Sequence, residues 1–292
     1  MEIKGHFPLA LYTTMGVGGL AEFFVAPRSL QDIILIQKYR SGEGCPVNVI
    51  GGGSNLIILG DVLSGLVVST LEMCQISHAG SSERKEIVCE AGLPLKSLLG
   101  RAISEELSGL EFAMGIPGTV GGALCGNAGV PGFSVSDVIN WVEVVKPGGT
   151  LARLGKNDIG WGYRYSSLGN SEDIIYRCGL VLVPEEPEKI RDNCQYWWKK
   201  REQQPYTDRS AGCIFKNPEK HSAGWLLERC GCKGMRKGDA MVSERHANFI
   251  INVGHAVSED ILWLIRQCRT RVYEKTGIML ELEVKLVGNE IF

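Results

Sequence analysis

Gly115-Ile116-Pro117-Gly118-Thr119-Val120-Gly121-Gly122-Ala123 is the stretch on which the reading of the fold turns. Pro117 fixes one backbone angle, and the glycines around it remove side chains, so the loop offers bare backbone. A second glycine run, Gly51-Gly52-Gly53-Ser54-Asn55, follows Pro46 to Ile50, which reads as a short strand. Glycines there can turn successive N–H groups toward a pyrophosphate; taken alone, the run reads equally as a tight turn. It is neither GxGxxG nor a P-loop: no third spaced glycine follows, Leu56-Ile57-Ile58 returns to strand character, and the Gly-Lys-Ser/Thr ending is missing. Two separate glycine loops suggest two walls around one long, flat cofactor.

The 292 residues predict about two domains, with a core of ample size. A net charge of -2 gives no electrostatic case for nucleic acid or an anionic membrane. No run approaches the ~18 apolar residues of a membrane helix, and Met1 to Thr14 lacks a leader pattern. The ten cysteines are therefore expected reduced, in a cytoplasmic protein.

Along the chain, Ser29 caps a predicted helix with the apolar positions Ile33, Ile34, Ile36 and Tyr39, which Gly42 and Gly44 end. Leu66–Ser69, Glu86–Cys89, Trp141–Val145 and Ile174–Val183 read as strands, and Leu95–Leu107 as a helix. Pro184-Glu185-Glu186-Pro187 is a charged, proline-bearing break at which a domain boundary is expected, before a polar helix from Glu188 to Gln204. Beyond it come a helix over Ala223–Cys230, strands near Met241 and Phe249, and a helix from Ser258, read as its cap, to Thr276, with Ile261, Ile265, Cys268 and Val272 as its apolar stripe. Met279 to Val287 alternates as a strand, with Leu280, Leu282, Val284 and Leu286 on one face and Glu281, Glu283 and Lys285 on the other. That charged face reads as solvated unless something else engages it.

Three further stretches carry chemistry: Tyr163-Arg164-Tyr165-Ser166, Ser210-Ala211-Gly212-Cys213-Ile214-Phe215-Lys216-Asn217-Pro218, and Val242-Ser243-Glu244-Arg245-His246-Ala247-Asn248-Phe249. With Tyr12-Thr13-Thr14-Met15-Gly16-Val17-Gly18-Gly19 and Glu281-Leu282-Glu283-Val284, the whole chain resembles the UDP-N-acetylenolpyruvoylglucosamine reductase (UDP-N-acetylmuramate dehydrogenase) family. The resemblance implies an α+β protein: a two-lobed FAD-binding fold of the vanillyl-alcohol-oxidase type over residues 1–184, with lobes of about 1–66 and 67–184, then an α+β substrate-binding domain over 185–292. It implies FAD, NADPH as co-substrate, and reduction of the enolpyruvyl double bond of a UDP-linked amino sugar. No His or Cys sits within the glycine loops, so the FAD is expected to be non-covalent. Its expected contacts are Gly51, Gly52, Gly53, Ser54, Asn55, Gly115, Gly118, Thr119, Gly122, Ala123 and Gly129. The catalytic positions are Arg164, against charge developing on the substrate carboxylate, Cys213 as proton donor and Glu283 as partner of the enol. Asn217, His246 and Asn248 match substrate contacts, and the strand alternation puts Lys285 on the face of Glu283, where it can meet substrate. No metal is expected, and the protein is expected to act on small molecules as a monomer, without nucleic acid or membrane.

The chain departs from the family twice. Cys213 stands where the family's donor is usually serine; a thiol also donates, with an unperturbed pKa of ~8.5, at the cost of sensitivity to oxidation and alkylation. Pro131, in Asn127-Ala128-Gly129-Val130-Pro131-Gly132, stands where the family usually has tyrosine. The short interval between Arg164 and Cys213 leaves no room for the extra subdomain of longer members. Two other readings are another flavin oxidase of the same fold and a zinc module built on Cys213, His221, Cys230 and Cys232. The Arg164–Glu283 pair speaks against the first, and the single-residue spacing of Cys230-Gly231-Cys232 against the second.

Overall fold

Residues 1–79 and 85–288 are described by the structure, a computed structural model. The chain divides into two compact units, neither continuous in sequence. The first comprises Met1–Lys4, Phe24–Gly52 and Gly65–Glu202; the second comprises Gly5–Phe23, Gly53–Ser64 and Gln203–Phe292. The helix Pro187–Arg201 falls in the first unit, which therefore runs past the Pro184–Pro187 break.

In the first unit an antiparallel sheet runs Leu151–Gly155, Ile139–Val145, Ile174–Pro184, Lys85–Glu90, Ile76–Ala79. The apolar strand Ile174–Pro184 lies in its middle. Leu98, Leu99 and Ala102 of the helix Leu95–Ser104 pack into the same core as Val142, Val144, Cys178 and Leu180. That helix stops earlier than expected because Glu106 turns left-handed (φ 58), sending Leu107–Ser108 to pair with the end of Ile174–Pro184.

The helix Leu30–Glu43 begins as its sequence dictates: the Ser29 side chain accepts the Asp32 N–H, and Gly44 closes it at φ 65. Its stripe differs from expectation. Tyr39 is exposed, whereas Gln37 is fully buried. Gln37 Nε2 donates to the carbonyls of Val145 and Glu172, which makes a polar residue tolerable inside. Val47–Ile50 pairs in parallel with the second half of Val62–Ser69, delivering the chain to Gly51.

In the second unit Arg209–Cys213, Phe249–Asn252, Ala240–Val242 and Arg236–Lys237 form an antiparallel sheet in that order. On the helix Ser258–Thr276 the expected stripe of Ile261, Ile265, Cys268 and Val272 is buried, and Gly277 ends it at φ 73. The cap is not Ser258, which is already helical; extended Val257 precedes it and accepts the Ile261 N–H. Met15, Val17, Ile57 and Leu59 join this core from far upstream.

Only Lys285–Val287 of the expected last strand is strand, paired in parallel with Leu56–Ile58. The amides of Glu283 and Val284 both converge on the Ile214 carbonyl, at 2.8 and 3.3 Å. A pleated strand alternates its amides and cannot do this. The burial pattern survives: Leu280 and Val284 are inside and Glu281 is exposed.

Candidate active site

Gly51 and Gly52 meet the Gly115–Ala123 loop within the first unit. A Cβ on Gly51 would lie 2.4 Å from Thr119 Oγ1, and one on Gly52 would lie 2.9 Å from the Gly118 Cα. The loops thus press backbone to backbone, with no room for a side chain between them. Gly115 and Gly118 have φ of 77 and 103, a region that favours glycine. Thr119 opens the short helix Val120–Cys125 and accepts from Gly122 N–H at 3.4 Å, while Gly121 N–H donates to the Ala91 carbonyl. Ala123 N–H belongs to the helix itself, donating to the Thr119 carbonyl. Arg201, which the sequence did not single out, is buried and donates to the carbonyls of Phe112 and Met114, fixing the entry to this loop. Its only signal is an arginine ending the polar helix.

Beyond the helix, Asn127 adopts φ 42 and its carboxamide bridges the Gly162 carbonyl and the Ser136 N–H. Gly129 sits in a hairpin so tight that a Cβ would come 2.3 Å from the Phe133 carbonyl. Arg164 is half-buried, has φ 53, and its Nη1 donates to the Gly129 carbonyl at 2.9 Å. Ser166, nearly inaccessible, donates to the Leu124 and Cys125 carbonyls. A non-glycine residue in this region costs of order 1–3 kcal/mol and persists where surroundings over-determine it. Here the hairpin and Ser166 do so, aiming the guanidinium.

The second unit carries the thiol. Arg209 faces Asn252 and Ser210 faces Ile251, but Cys213 faces Phe249, so Ala211 and Gly212 together oppose one residue. This is a β-bulge, with Gly212 at φ 75. Bulges re-aim side chains, and this one sets the direction of half-buried Cys213. A Cβ on Gly212 would lie 3.6 Å from the Ser54 carbonyl, placing the bulge beside the Ser54–Asn55 end of the first glycine loop. Asn55, expected at the cofactor, donates its carboxamide to the Glu283 carbonyl and accepts the Lys285 N–H. Glu283 N–H donates to Ile214, the residue after Cys213. Cys213, Asn55 and Glu283 are therefore brought together.

Thr14 is a further residue without a role in the sequence reading. Its N–H donates to the Gly53 carbonyl at 3.1 Å, and its Oγ1 to the Ser210 carbonyl at 2.6 Å. A Cβ on Gly53 would lie 1.9 Å from the Tyr12 carbonyl, so the Tyr12–Gly19 stretch walls this loop.

The expected substrate contacts divide. His246 lies against Gly224 and the Phe249 ring, and its Nδ1 accepts the Asn248 N–H at 3.3 Å. Burial pulls its pKa below the usual histidine range, so it is neutral at pH 7, with the proton on Nε2. Asn217 Oδ1 accepts the Ala223 N–H at the start of the helix Ala223–Arg229. Lys285 is exposed, and Lys216 forms a surface ion pair with Glu281. Asn248 differs: it is 2% exposed and commits both ends of its carboxamide to Phe215. Among the described residues no group of three or more His, Cys, Asp or Glu could hold a metal.

A family model described as an FAD binding domain matches residues 21–155, and one described as the C-terminal domain of UDP-N-acetylenolpyruvoylglucosamine reductase matches 204–287. The UDP-N-acetylenolpyruvoylglucosamine reductase of Syntrophus aciditrophicus is 39% identical over 285 residues, covering 97% of this chain and 91% of that protein. The chain belongs to the UDP-N-acetylenolpyruvoylglucosamine reductase family. The crystal structure of a family member from Thermus caldophilus, 35% identical, superposes with a TM-score of 0.82 over 98% of each chain. A Phl p 4 glucose oxidase variant, 14% identical over 63% of this chain, shares the fold alone, at a TM-score of 0.51. The fold is the expected α+β, FAD-binding type. The residues present fit FAD: Gly51 and Gly52 lie so close to Thr119 and Gly118 that a Cβ on either would clash, which keeps bare backbone there for a cofactor.

Proposed function

We propose that this chain reduces the enolpyruvyl double bond of UDP-N-acetylenolpyruvoylglucosamine, giving UDP-N-acetylmuramate for peptidoglycan, with non-covalent FAD as cofactor and NADPH as hydride source. The observation that carries this reading is the bulge at Ala211–Gly212. It sets Cys213 next to Ile214, whose carbonyl accepts the Glu283 N–H, and this supports placing the proton donor and Glu283 at one site.

Bound FAD would supply a hydride to the terminal carbon of the enolpyruvyl group. The electron pair of the double bond then moves toward the substrate carboxylate, and Arg164, oriented by its bond to Gly129, meets that charge. Glu283 helps hold the enol. Cys213 gives the proton on Sγ to the neighbouring carbon, completing a two-electron, two-hydrogen reduction. His246, Asn217 and Lys285 receive the UDP-sugar. The unit that carries Gly51, Gly52 and the Gly115–Ala123 loop serves the cofactor and the unit that carries Asn217, His246 and Lys285 the substrate, in a cytoplasmic monomer with neither nucleic acid nor membrane as partner. No described helix is long and apolar enough to cross a membrane.

The test is to reduce the purified protein anaerobically with NADPH and mix it with UDP-N-acetylenolpyruvoylglucosamine. Oxidised-flavin absorbance should return rapidly, in Cys213→Ser as in the native protein. In Cys213→Ala only this step should slow, by about 10²–10⁴-fold. Failure of the native protein to reoxidise with substrate would overturn the reaction; a native rate in Cys213→Ala would overturn the donor.

A further inference from the structure

The bulged strand does not end where its backbone ladder ends. Past Cys213 the regular ladder to Phe249–Asn252 ends. Ile214 N–H still finds the Asn248 carbonyl at 2.9 Å. Phe215, which is 1% exposed, has only a side chain opposite it. Its N–H donates to Asn248 Oδ1 at 2.9 Å, and its carbonyl accepts from Asn248 Nδ2 at 2.8 Å. A carboxamide has the donor and acceptor of a peptide group, and here it exchanges two bonds with one residue, as a cross-strand partner would.

Three elements of the site hang from this arrangement. Cys213 lies two residues before Phe215, at the bulge. Glu283 N–H is held by Ile214, between the two bonded residues, and Phe215 bridges Leu282 on its other side. Asn248 N–H donates to His246 Nδ1, fixing that ring's tautomer. One buried carboxamide therefore fixes the backbone that follows Cys213 and holds the Glu283 N–H, and the same residue's own N–H meets the His246 imidazole.

From this geometry we infer that Asn248 is a positioning residue for the proton-transfer step, acting through Ile214 and Phe215, and not a substrate contact. The inference rests on the proposed donor role of Cys213. Removing the carboxamide leaves a buried N–H and carbonyl without partners and frees the segment that aims the thiol. Misplacement by about 1 Å costs on the order of 10²-fold.

The test is a double-mutant cycle of Asn248→Ala and Cys213→Ala in the FAD-loaded protein, following the two half-reactions separately. Asn248→Ala should slow substrate-dependent flavin reoxidation by on the order of 10²-fold, with KM for the UDP-sugar and reduction by NADPH unchanged. In the Cys213→Ala background it should add less than about threefold, because the two act as a unit. Hydrogen exchange at the Ile214 and Phe215 amides should quicken while the helix Ser258–Thr276 stays protected. If Asn248→Ala does not fold, Asn248→Asp replaces it. A protonated carboxyl both accepts and donates as the carboxamide does, so its reoxidation rate should recover as pH falls. Raised KM with kcat preserved, equal slowing of both half-reactions, a fully multiplicative double variant, or no recovery of Asn248→Asp at low pH would overturn the inference. Native turnover in Cys213→Ala alone would overturn the donor reading instead, and needs no Asn248 variant to be seen.

Discussion

His246 is held neutral from two sides. Burial opposes its charge, and Nδ1 accepts the Asn248 N–H, so a proton on Nδ1 would set one N–H against another. The folded pKa lies below the unfolded value, near 6.5. The unfolded chain therefore binds the proton first, and the stabilisation present above pH 6.5 is lost as pH falls through the folded value. The native melting temperature should drop more between about pH 7 and about pH 5 than that of His246→Gln, which has nothing to titrate. Parallel curves by calorimetry would show that this imidazole does not govern acid stability. The sequence named His246, Cys213, Glu283 and Arg164, because unusual residue types in specific strings survive without a structure. It assigned Asn248 to the substrate without revealing its two bonds to Phe215, and assigned Thr14 nothing. A carboxamide or hydroxyl looks the same in sequence whether it faces a ligand or completes a ladder.

Local elements were legible where their ends obey short-range rules. Ser29 and Gly44 cap one helix as read, and Gly277 closes another. Legibility failed where tertiary contacts overrode periodicity. Gln37 goes inside because two carbonyls await it, and Met279–Val287 loses most of its strand because two amides share Ile214. The glycine loops were read as two walls, but not that they touch. That contact makes Gly52 hard to replace, since its Cβ would meet Gly118 backbone at 2.9 Å, and backbone cannot rotate away. Gly52→Ala should fold, destabilised by about 1–3 kcal/mol, and purify without FAD. Gly100→Ala, with open space around its Cβ inside the helix Leu95–Ser104, should stabilise by up to ~1 kcal/mol and keep its flavin. The ratio of flavin to protein absorbance and the melting temperature decide; a full flavin complement in Gly52→Ala would show that the contact is not critical.

At the scale of the whole molecule, the sequence suggested a boundary at a proline-bearing break, and composition along a chain can suggest no other kind. The second unit is instead assembled from three separate pieces, and the matched segment 204–287 is only its last. Asn252 donates to the Met15 carbonyl and Thr14 to the Ser210 carbonyl, while Lys285–Val287 has Leu56–Ile58 as its parallel partner. Met15, Val17, Ile57 and Leu59, each at most 5% exposed, lie in the same core as Ile261 and Leu264. Burying four such side chains is worth roughly 6–12 kcal/mol as an upper estimate. That equals the whole stability of an ordinary domain, about 5–15 kcal/mol. A fragment from Gln203 to Phe292 should therefore not fold alone: circular dichroism should show little fixed structure and urea no cooperative transition. A fragment in which Gly5–Phe23 and Gly53–Ser64 are joined ahead of Gln203 by flexible linkers should regain a transition. A cooperative transition in the short fragment would mean that the upstream pieces are accessories to this core rather than parts of it.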